Sequence, residues 1–359
     1  MGEFDLIARY FKRPTCHSAL GIGDDCALLQ PSPGCQLAIS CDMLVQGRHF
    51  FADVDPRTLG HKALAVNLSD LAACGAKPLA FTLALSLPDV NEPWLEAFSQ
   101  GLFELADTHG CELIGGDTTA GPLNICITVF GEVPVHNGRS QALLRSGARV
   151  GDDLYVSGTV GDARLALDVL LGRLHLPGDM SATSPTAAAD DTKASTLDTL
   201  AGGLAHALDF ARARLETPTP RVALGLALRG IASAAIDVSD GLLGDLSHIL
   251  ERSQVGATVF ADDAIQSIAS YAYSKRSTGQ FFINLSSENW RALALAGGDD
   301  YELLFSAPHH QRDAVSAAAL ASQTPVRCIG HIDAEPGLRV LDAQGQALQN
   351  TYASFDHFA

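Results

Sequence analysis

The chain of 359 residues contains only five lysines, and its formal net charge is −17. A surface of that sign repels phosphate backbones and anionic headgroups, which excludes nonspecific nucleic-acid binding and electrostatic attachment to membranes. If such a protein handles phosphates, something other than lysine has to neutralise them. No uncharged apolar run reaches the ~20 residues of a membrane-spanning helix. The opening Met1-Gly2-Glu3-Phe4-Asp5 carries charge and leads into no apolar core of signal-peptide length. The eight cysteines include no CxxC pair, and several sit in apolar runs such as Ile125-Cys126-Ile127, the usage expected of reduced thiols in a cytoplasmic protein. Familiar signatures are missing too: no GxxxxGKS/T, no GxGxxG opening a helix, no protein-kinase set, no HExxH zinc motif and no GxSxG serine elbow.

What the chain does have is 47% hydrophobic residues, ample for two buried cores. The spacing predicts a short helix over residues 3–12 with Phe4, Ile7, Ala8 and Phe11 on one side. The run Leu37 to Val45 reads as a buried strand interrupted by Ser40-Cys41-Asp42. A helix starts at the cap Asp55 with Pro56 and runs to Cys74-Gly75, placing Asn67 and Asp70 on one face. A second helix spans Asn91 to His109, and a strand from Cys111 to Ile114 leads into the turn-forming Gly115-Gly116-Asp117-Thr118-Thr119. Strands alternate with helices and also follow one another directly. The expected fold class is therefore α/β of the α+β type, two domains of mixed sheets with packed helices.

The composition turns polar over Val133 to Gly138, so the boundary is set near residue 140, with an N-terminal α/β domain over 1–140 and a C-terminal one over 141–359. Residues 177–203, almost all Ala, Thr, Ser and Asp, read as a flexible surface insertion. Beyond it, Ala235 to Leu246 reads as a strand ending in an acidic loop that opens a helix. Gly297-Gly298-Asp299-Asp300-Tyr301 then repeats the Gly-Gly-acid theme before a further strand.

Asp25, Asp42, Asp70, Asp117, Asp237, Asp240 and Asp299 all lie beside glycine, at strand ends, or on a helix with a polar neighbour. Any one of them alone also makes a good cap or turn former. As a set they point elsewhere, because two like charges ~4 Å apart repel by about 4 kcal/mol at an effective dielectric of ~20. Carboxylates that converge need cations between them, and all-oxygen ligation favours Mg²⁺ shared with substrate phosphates. Arg145, ahead of Ser146-Gly147, could fork onto phosphate oxygens or simply face solvent. His49, beside Phe50 and Phe51, could touch a substrate or be packed.

The motifs GIGDDCALL, LAISCDMLVQGRHF, HKALAVNLSDLAACGAKP, LIGGDTT, LLRSGARVGD, AIDVSDGLLGDLSHI, GGDDYELLF and the closing FDHFA follow one another in order. Together the chain resembles the thiamine-monophosphate kinase family, over nearly its whole length apart from roughly residues 172 to 213. The resemblance implies the two-domain fold of aminoimidazole ribonucleotide synthetase, with the N-terminal domain carrying the metal and ATP site and the dimer contacts. It implies ATP-dependent phosphorylation of thiamine monophosphate to thiamine diphosphate by a homodimer. By motif position, Asp25, Ser40, Cys41, Asp42, Asp70, Asp117, Asp237 and Asp240 fall where the family holds several Mg²⁺ ions. Gly116, Asp117, Arg145 and Ser239 fall where it holds ATP, and His49, Asp299 and Phe355 where it holds the thiamine phosphate. Asp42, Asp117 and Arg145 are the expected catalytic residues. Cys41 stands where the family leads one to expect Thr, and Asp299 where Glu is usual.

Sister enzymes are the nearest alternatives. A selenophosphate synthetase is expected to show a reactive Cys with a nearby Lys in a Gly-rich N-terminal segment, and a hydrogenase-maturation relative a cysteine-bearing tail; neither is seen. From other classes, a two-metal phosphohydrolase would release phosphate without an acceptor, and a nucleotide and Mg²⁺ binder would show affinity without turnover.

Overall fold

The computed structural model describes residues 2–16, 18–174, 205–271, 283, 285–349 and 352. The 177–203 insertion and Phe355 lie outside the described residues. The chain forms two compact units, the first comprising residues 1–144, 216–237 and 310–324 and the second residues 145–215, 238–309 and 325–359. Each is a mixed sheet with packed helices, the α/β architecture expected.

In the first unit the strands are β1 (Cys35–Val45), β2 (Lys77–Leu87), β3 (Glu112–Ala120), β4 (Asn124–His136) and the short β5 (Arg139–Ser140). Their order is β1-β4-β2-β3, with β5 on β4. β4 is antiparallel to both β1 and β2, whereas β3 runs parallel to β2. The helices are α1 (Glu3–Tyr10), α2 (Pro56–Ala73) and α3 (Glu92–His109). α2 begins where the Asp55 side chain accepts the Arg57 N–H at 2.8 Å with Pro56 at its first position, a cap worth about 1 kcal/mol. It packs between α3 and the sheet, and is accordingly apolar on nearly every side, with Leu59, Leu64, Leu68 and Leu71 no more than 1% exposed. α2 and α3 approach closely at two glycines. A Cβ on Gly60 would meet the Phe98 carbonyl oxygen at 2.0 Å, and one on Gly101 the Arg57 carbonyl oxygen at 1.9 Å.

β7 (Ala234–Asp237) ends at the last residue of that stretch of the first unit, which also holds α5 (Val222–Ala227) and α9 (Arg312–Ala321). In the second unit, β6 (Asp152–Ser157), β8 (Gly256–Phe260), β9 (Leu303–Pro308), β10 (Val326–Asp333) and β11 (Gly337–Leu341) lie side by side in the order β11-β8-β10-β6-β9. Its helices are α4 (Asp162–Leu170), α6 (Leu242–Ser253), α7 (Ala261–Ile265) and α8 (Ser287–Ala296), besides a helical stretch over 205–216. Among the described residues no helix is long and apolar enough to cross a membrane.

Three local expectations change. β1 is an edge strand, not a buried one: Ser40, Asp42 and Leu44 turn inward while Leu37, Ile39, Cys41 and Met43 are exposed. A continuous apolar run hid that period of two, because both faces of this strand carry large side chains. Gly115 to Thr119 is not a turn; parallel pairing with Thr82 to Ser86 holds it extended within β3. In α1 the buried side is Leu6, Tyr10 and Phe11, whereas Phe4 is 83% exposed.

Candidate functional site

In the first unit one turn of α2, Asn67 to Asp70, gathers three of the expected positions. Ser40 donates its hydroxyl to Asp70 Oδ2 at 2.5 Å. The Asp42 N–H donates to Asn67 Oδ1 at 3.1 Å, and Asn67, fully buried, is itself fixed by donating to the Ala63 carbonyl at 3.0 Å. The Ser69 hydroxyl donates to Asp237 Oδ2 at 2.7 Å. The cause is periodicity: Ser40 and Asp42 are two apart on a strand and so share a face, and 67 and 70 are three apart on the helix under it. Asp237, at the end of β7, is 6% exposed, a depth at which a carboxylate needs hydrogen-bond donors or a cation.

Asp25 and Asp117 are placed elsewhere on the same unit. Both are exposed and both line a pocket of about 760 Å³ formed by α1, the Ile22 to Ala27 loop and the Leu113 to Thr118 part of β3. Gly116 lies between, at φ 147°, where a Cβ would stand 1.8 Å from the Leu83 carbonyl oxygen. Only glycine fits there, and the strand is left bare for a ligand to approach. Cys41 points to the opposite face of the sheet from Ser40 and Asp42, its Sγ 3.4 Å from Cys126 Sγ. Burial first, then Cys41 and Asp42, push the Cys126 thiol up to about 11. His49 is half-buried, and its Nδ1 accepts the Val45 N–H at 2.9 Å, which closes the turn after β1.

The second unit brings Ser239, Asp240 and Asp299 together. The Asp299 N–H donates to the Ser239 carbonyl and the Tyr301 N–H to the Val238 carbonyl, both at 2.8 Å. A Cβ on Gly298 would meet the Ser239 oxygen at 2.4 Å, so the glycine is what lets the two loops lie against each other. Asp299 and Tyr301 both adopt left-handed backbone, φ 64° and 51°, a strain that surrounding structure has to hold. It is held from beneath by buried charge. Arg214 donates to the Asp300 carbonyl and to Glu302 Oε1, each at 2.8 Å, and Ser157 donates to Glu302 Oε2 at 2.6 Å. Asp300, fully buried, accepts the Gly161 N–H at 2.8 Å, and burial raises its carboxyl well above the usual range.

Asp245 was not legible as a site residue, although its place four residues into the helix behind Asp-Gly was a signal. Its Oδ2 accepts the N–H groups of Ser239, Asp240 and Gly241 at 3.1 to 3.2 Å and shapes that loop. Burial, then Asp240, push its carboxyl up to about 7 against the pull of those N–H groups. Arg145 is exposed, and its carbonyl accepts from the Ser253 hydroxyl at 3.1 Å.

Among the described residues no three His, Cys, Asp or Glu side chains are gathered into a metal-holding group. The donors come instead as small sets of carboxylate, hydroxyl and carbonyl oxygens, the provision Mg²⁺ uses when waters and substrate phosphates complete its shell. The residues present therefore fit that ion.

Two family models match the chain: AIR synthase related protein, N-terminal domain, over residues 23–133, and its C-terminal domain over 169–343. The chain is 44% identical to the thiamine-monophosphate kinase of Salmonella typhimurium, with 100% of this chain and 98% of that protein aligned. It is 42% identical to that of Escherichia coli K12 over the same shares. Among solved structures it is similar to thiamine-monophosphate kinase from Stenotrophomonas maltophilia K279a, with a TM-score of 0.74, 44% identity and 96% of each chain covered. It also shares the fold of AaThiL complexed with AMPPCP and TMP, with a TM-score of 0.67, 24% identity, and 92% of this chain and 89% of that one covered.

Proposed function

This chain belongs to the thiamine-monophosphate kinase family, kinases whose acceptor is itself a phosphate, and from that premise we propose that it moves the γ-phosphoryl group of ATP directly, in line, onto thiamine monophosphate. The products are thiamine diphosphate and ADP. The observation that carries this reading is the α2 turn at Asn67 to Asp70, to which Ser40, Asp42 and Asp237 are all tied.

The acceptor oxygen is already anionic at neutral pH, so no side chain has to remove its proton. That suits a site whose strategic groups are carboxylates rather than a His–Asp pair. The task left is to bring two polyanions together, and catalysis by positioning and charge neutralisation meets it. Several Mg²⁺ ions, held by Asp25, Ser40, Cys41, Asp42, Asp70, Asp117, Asp237 and Asp240, supply the positive charge that five lysines do not. In this reading Cys41 contributes its backbone carbonyl, since its thiol faces away from Ser40 and Asp42 and is a poor ligand for a hard cation. Gly116, Asp117, Arg145 and Ser239 hold ATP, with the guanidinium of Arg145 against its phosphates. His49 and Asp299 receive the thiamine phosphate, and Phe355 is the third residue expected there.

The working form in this reading is a cytoplasmic homodimer. β1 is an eleven-residue edge strand with Leu37, Ile39 and Met43 exposed at 41, 60 and 53%, and long apolar edges of this sort are normally covered. The test is ATP consumption by the purified protein with Mg²⁺, with and without thiamine monophosphate, the products separated by chromatography. Thiamine diphosphate and ADP in equal amounts support the reading. Phosphate release without an acceptor, or ATP binding without turnover, overturns it in favour of a hydrolase or a binder.

A further inference from the structure

Arg145 is expected to meet ATP phosphates, yet residues 141–151 around it form neither helix nor strand. Its side chain is exposed, and among the described residues its guanidinium makes no ion pair and no hydrogen bond. In a chain with 41 aspartates and glutamates and a net charge of −17, an arginine left unpaired is available to an anionic ligand. A long side chain on an irregular segment is a poor phosphate ligand unless its backbone is fixed beforehand, because ordering it on binding costs entropy.

One hydroxyl fixes it. Ser253, the last residue of α6, accepts the N–H groups of Gly147 and Ala148 and donates to the Arg145 carbonyl oxygen, each at 3.1 Å. One proton and two lone pairs are all that a hydroxyl offers, so the whole bonding capacity of Ser253 is spent on this segment. The chain turns at Gly147, φ 125°, which brings residues 145, 147 and 148 round the same oxygen. Ser253 is itself anchored, since α6 buries Leu242, Leu243, Leu246, Ile249 and Leu250 in the second unit. In the first turn of this helix Asp245 accepts the three N–H groups of the Ser239 loop. Asp245 and Ser253 lie ~12 Å apart along the axis, so one helix sets the spacing of both second-unit segments expected to hold ATP.

We propose that Ser253 is a positioning residue for ATP that acts through Arg145: its hydroxyl holds the Arg145 backbone in the arrangement from which the guanidinium reaches the phosphates. The proposal rests on the kinase reading above and adds to it a residue that touches no substrate. A hydroxyl that only stapled the segment to the fold would make the same three bonds. The two roles separate once the Arg145 side chain is removed, because a residue acting through that guanidinium then has nothing left to position.

The experiment is calorimetry on the full chain, well below its melting temperature, with a non-hydrolysable ATP analogue and Mg²⁺. It compares the wild type, Ser253→Ala, Arg145→Met and the double variant. Each single change is expected to weaken the analogue about tenfold, inside the coupling range of residues in contact. The double variant is expected to bind no more weakly than Arg145→Met. Ser253→Thr, which keeps the hydroxyl, is expected to restore most of the affinity. Wild-type affinity in Ser253→Ala, or losses that add in the double variant, overturns the proposal and leaves the role of Arg145 standing. Unchanged affinity in Arg145→Met removes that role, and the proposal with it. These measurements need no turnover, so they decide on Ser253 even if the kinase assay fails.

Discussion

Asp42 and Gly116 stand at the two ends of one row across the first unit's sheet: Asp42 faces Ile127, Ile127 faces Leu83, and Leu83 faces Gly116. Three strand spacings separate them, ~14 Å along the sheet. No single Mg²⁺ in one protomer can reach both Asp42 and Asp117. If both act at one phosphate, the proposed dimer has to bring the β1 edge of one copy near the β3 edge of the other.

Mixing inactive variants tests this arrangement. Asp42→Asn and Asp117→Asn are each expected to lose 10²-fold or more in kcat, the scale for removing one preorganised charge contact. After joint unfolding and refolding at equal amounts, random pairing leaves about a quarter of the sites with neither change. Activity recovering toward about a quarter of wild type supports a shared site. Mixtures as inactive as the parents would place both residues' roles within one protomer.

The Ser69 hydroxyl at 2.7 Å is a donor to a carboxylate, Asp237, that has almost no water. Ser69→Ala removes it and is expected to destabilise the fold by about 1.5–3 kcal/mol, the range for hydrogen bonds to charged groups. Saturating Mg²⁺ should recover more melting temperature in the variant than in the wild type, because a bound cation replaces the lost donor. Equal Mg²⁺ shifts in the two proteins would show that Asp237 takes no part in metal binding.

Much of the fold was legible because its signals are local. Asp55-Pro56 and Asn91 with Pro93 cap α2 and α3 where the spacing places them, and Gly110 closes α3 in left-handed backbone at φ 59°. The shared face of Asn67 and Asp70 likewise followed from helix period alone. What stayed hidden depends on pairing. That Gly115 to Thr119 is strand is decided by β2 lying parallel beside it, and nothing in five turn-forming residues reports a neighbour. The separation of Asp42 from Asp117 is a matter of strand order, β1-β4-β2-β3, which motifs following each other in sequence do not contain. Ser69, Asp245 and Arg214 escaped notice because each acts by supporting another residue.

Acid should loosen the first unit through His61. Its Nε2 lies 2.8 Å from the Pro218 carbonyl oxygen, and burial, the largest effect, lowers its pKa below the ordinary 6.5 despite that contact and Glu104. A histidine held neutral in the folded state contributes stability that is fully present above its unfolded pKa of about 6.5. That stability is lost as pH falls through the lowered folded value, since the unfolded chain binds the proton first. Melting temperature is therefore expected to fall more steeply between pH 6.5 and the lowered value in the wild type than in His61→Gln. Parallel curves would assign the acid lability to other groups.

The buried charges under the Asp299 loop give the sharpest contrast between two neighbouring substitutions. Arg214 and Glu302 have side chains 8 and 0% exposed and meet at 2.8 Å, so Arg214→Met strands a carboxylate in the core and is expected to cost about 3–5 kcal/mol. Asp300 is also fully buried, yet one of its oxygens finds no hydrogen-bond partner among the described residues and its carboxyl is raised well above 3.8. A raised carboxyl contributes stability below its unfolded pKa and loses it as pH rises through the folded value. Asp300→Asn, which keeps the shape and cannot ionise, is expected to match the wild type at acid pH and to gain on it as pH increases. Denaturant unfolding across that range measures both variants. A large loss in Asp300→Asn at high pH would mean that Asp300 is ionised in the fold and paired with Arg214. In that case the support for the left-handed Asp299 and Tyr301 would be an ion triad, not a single Arg–Glu pair with a neutral acid beside it.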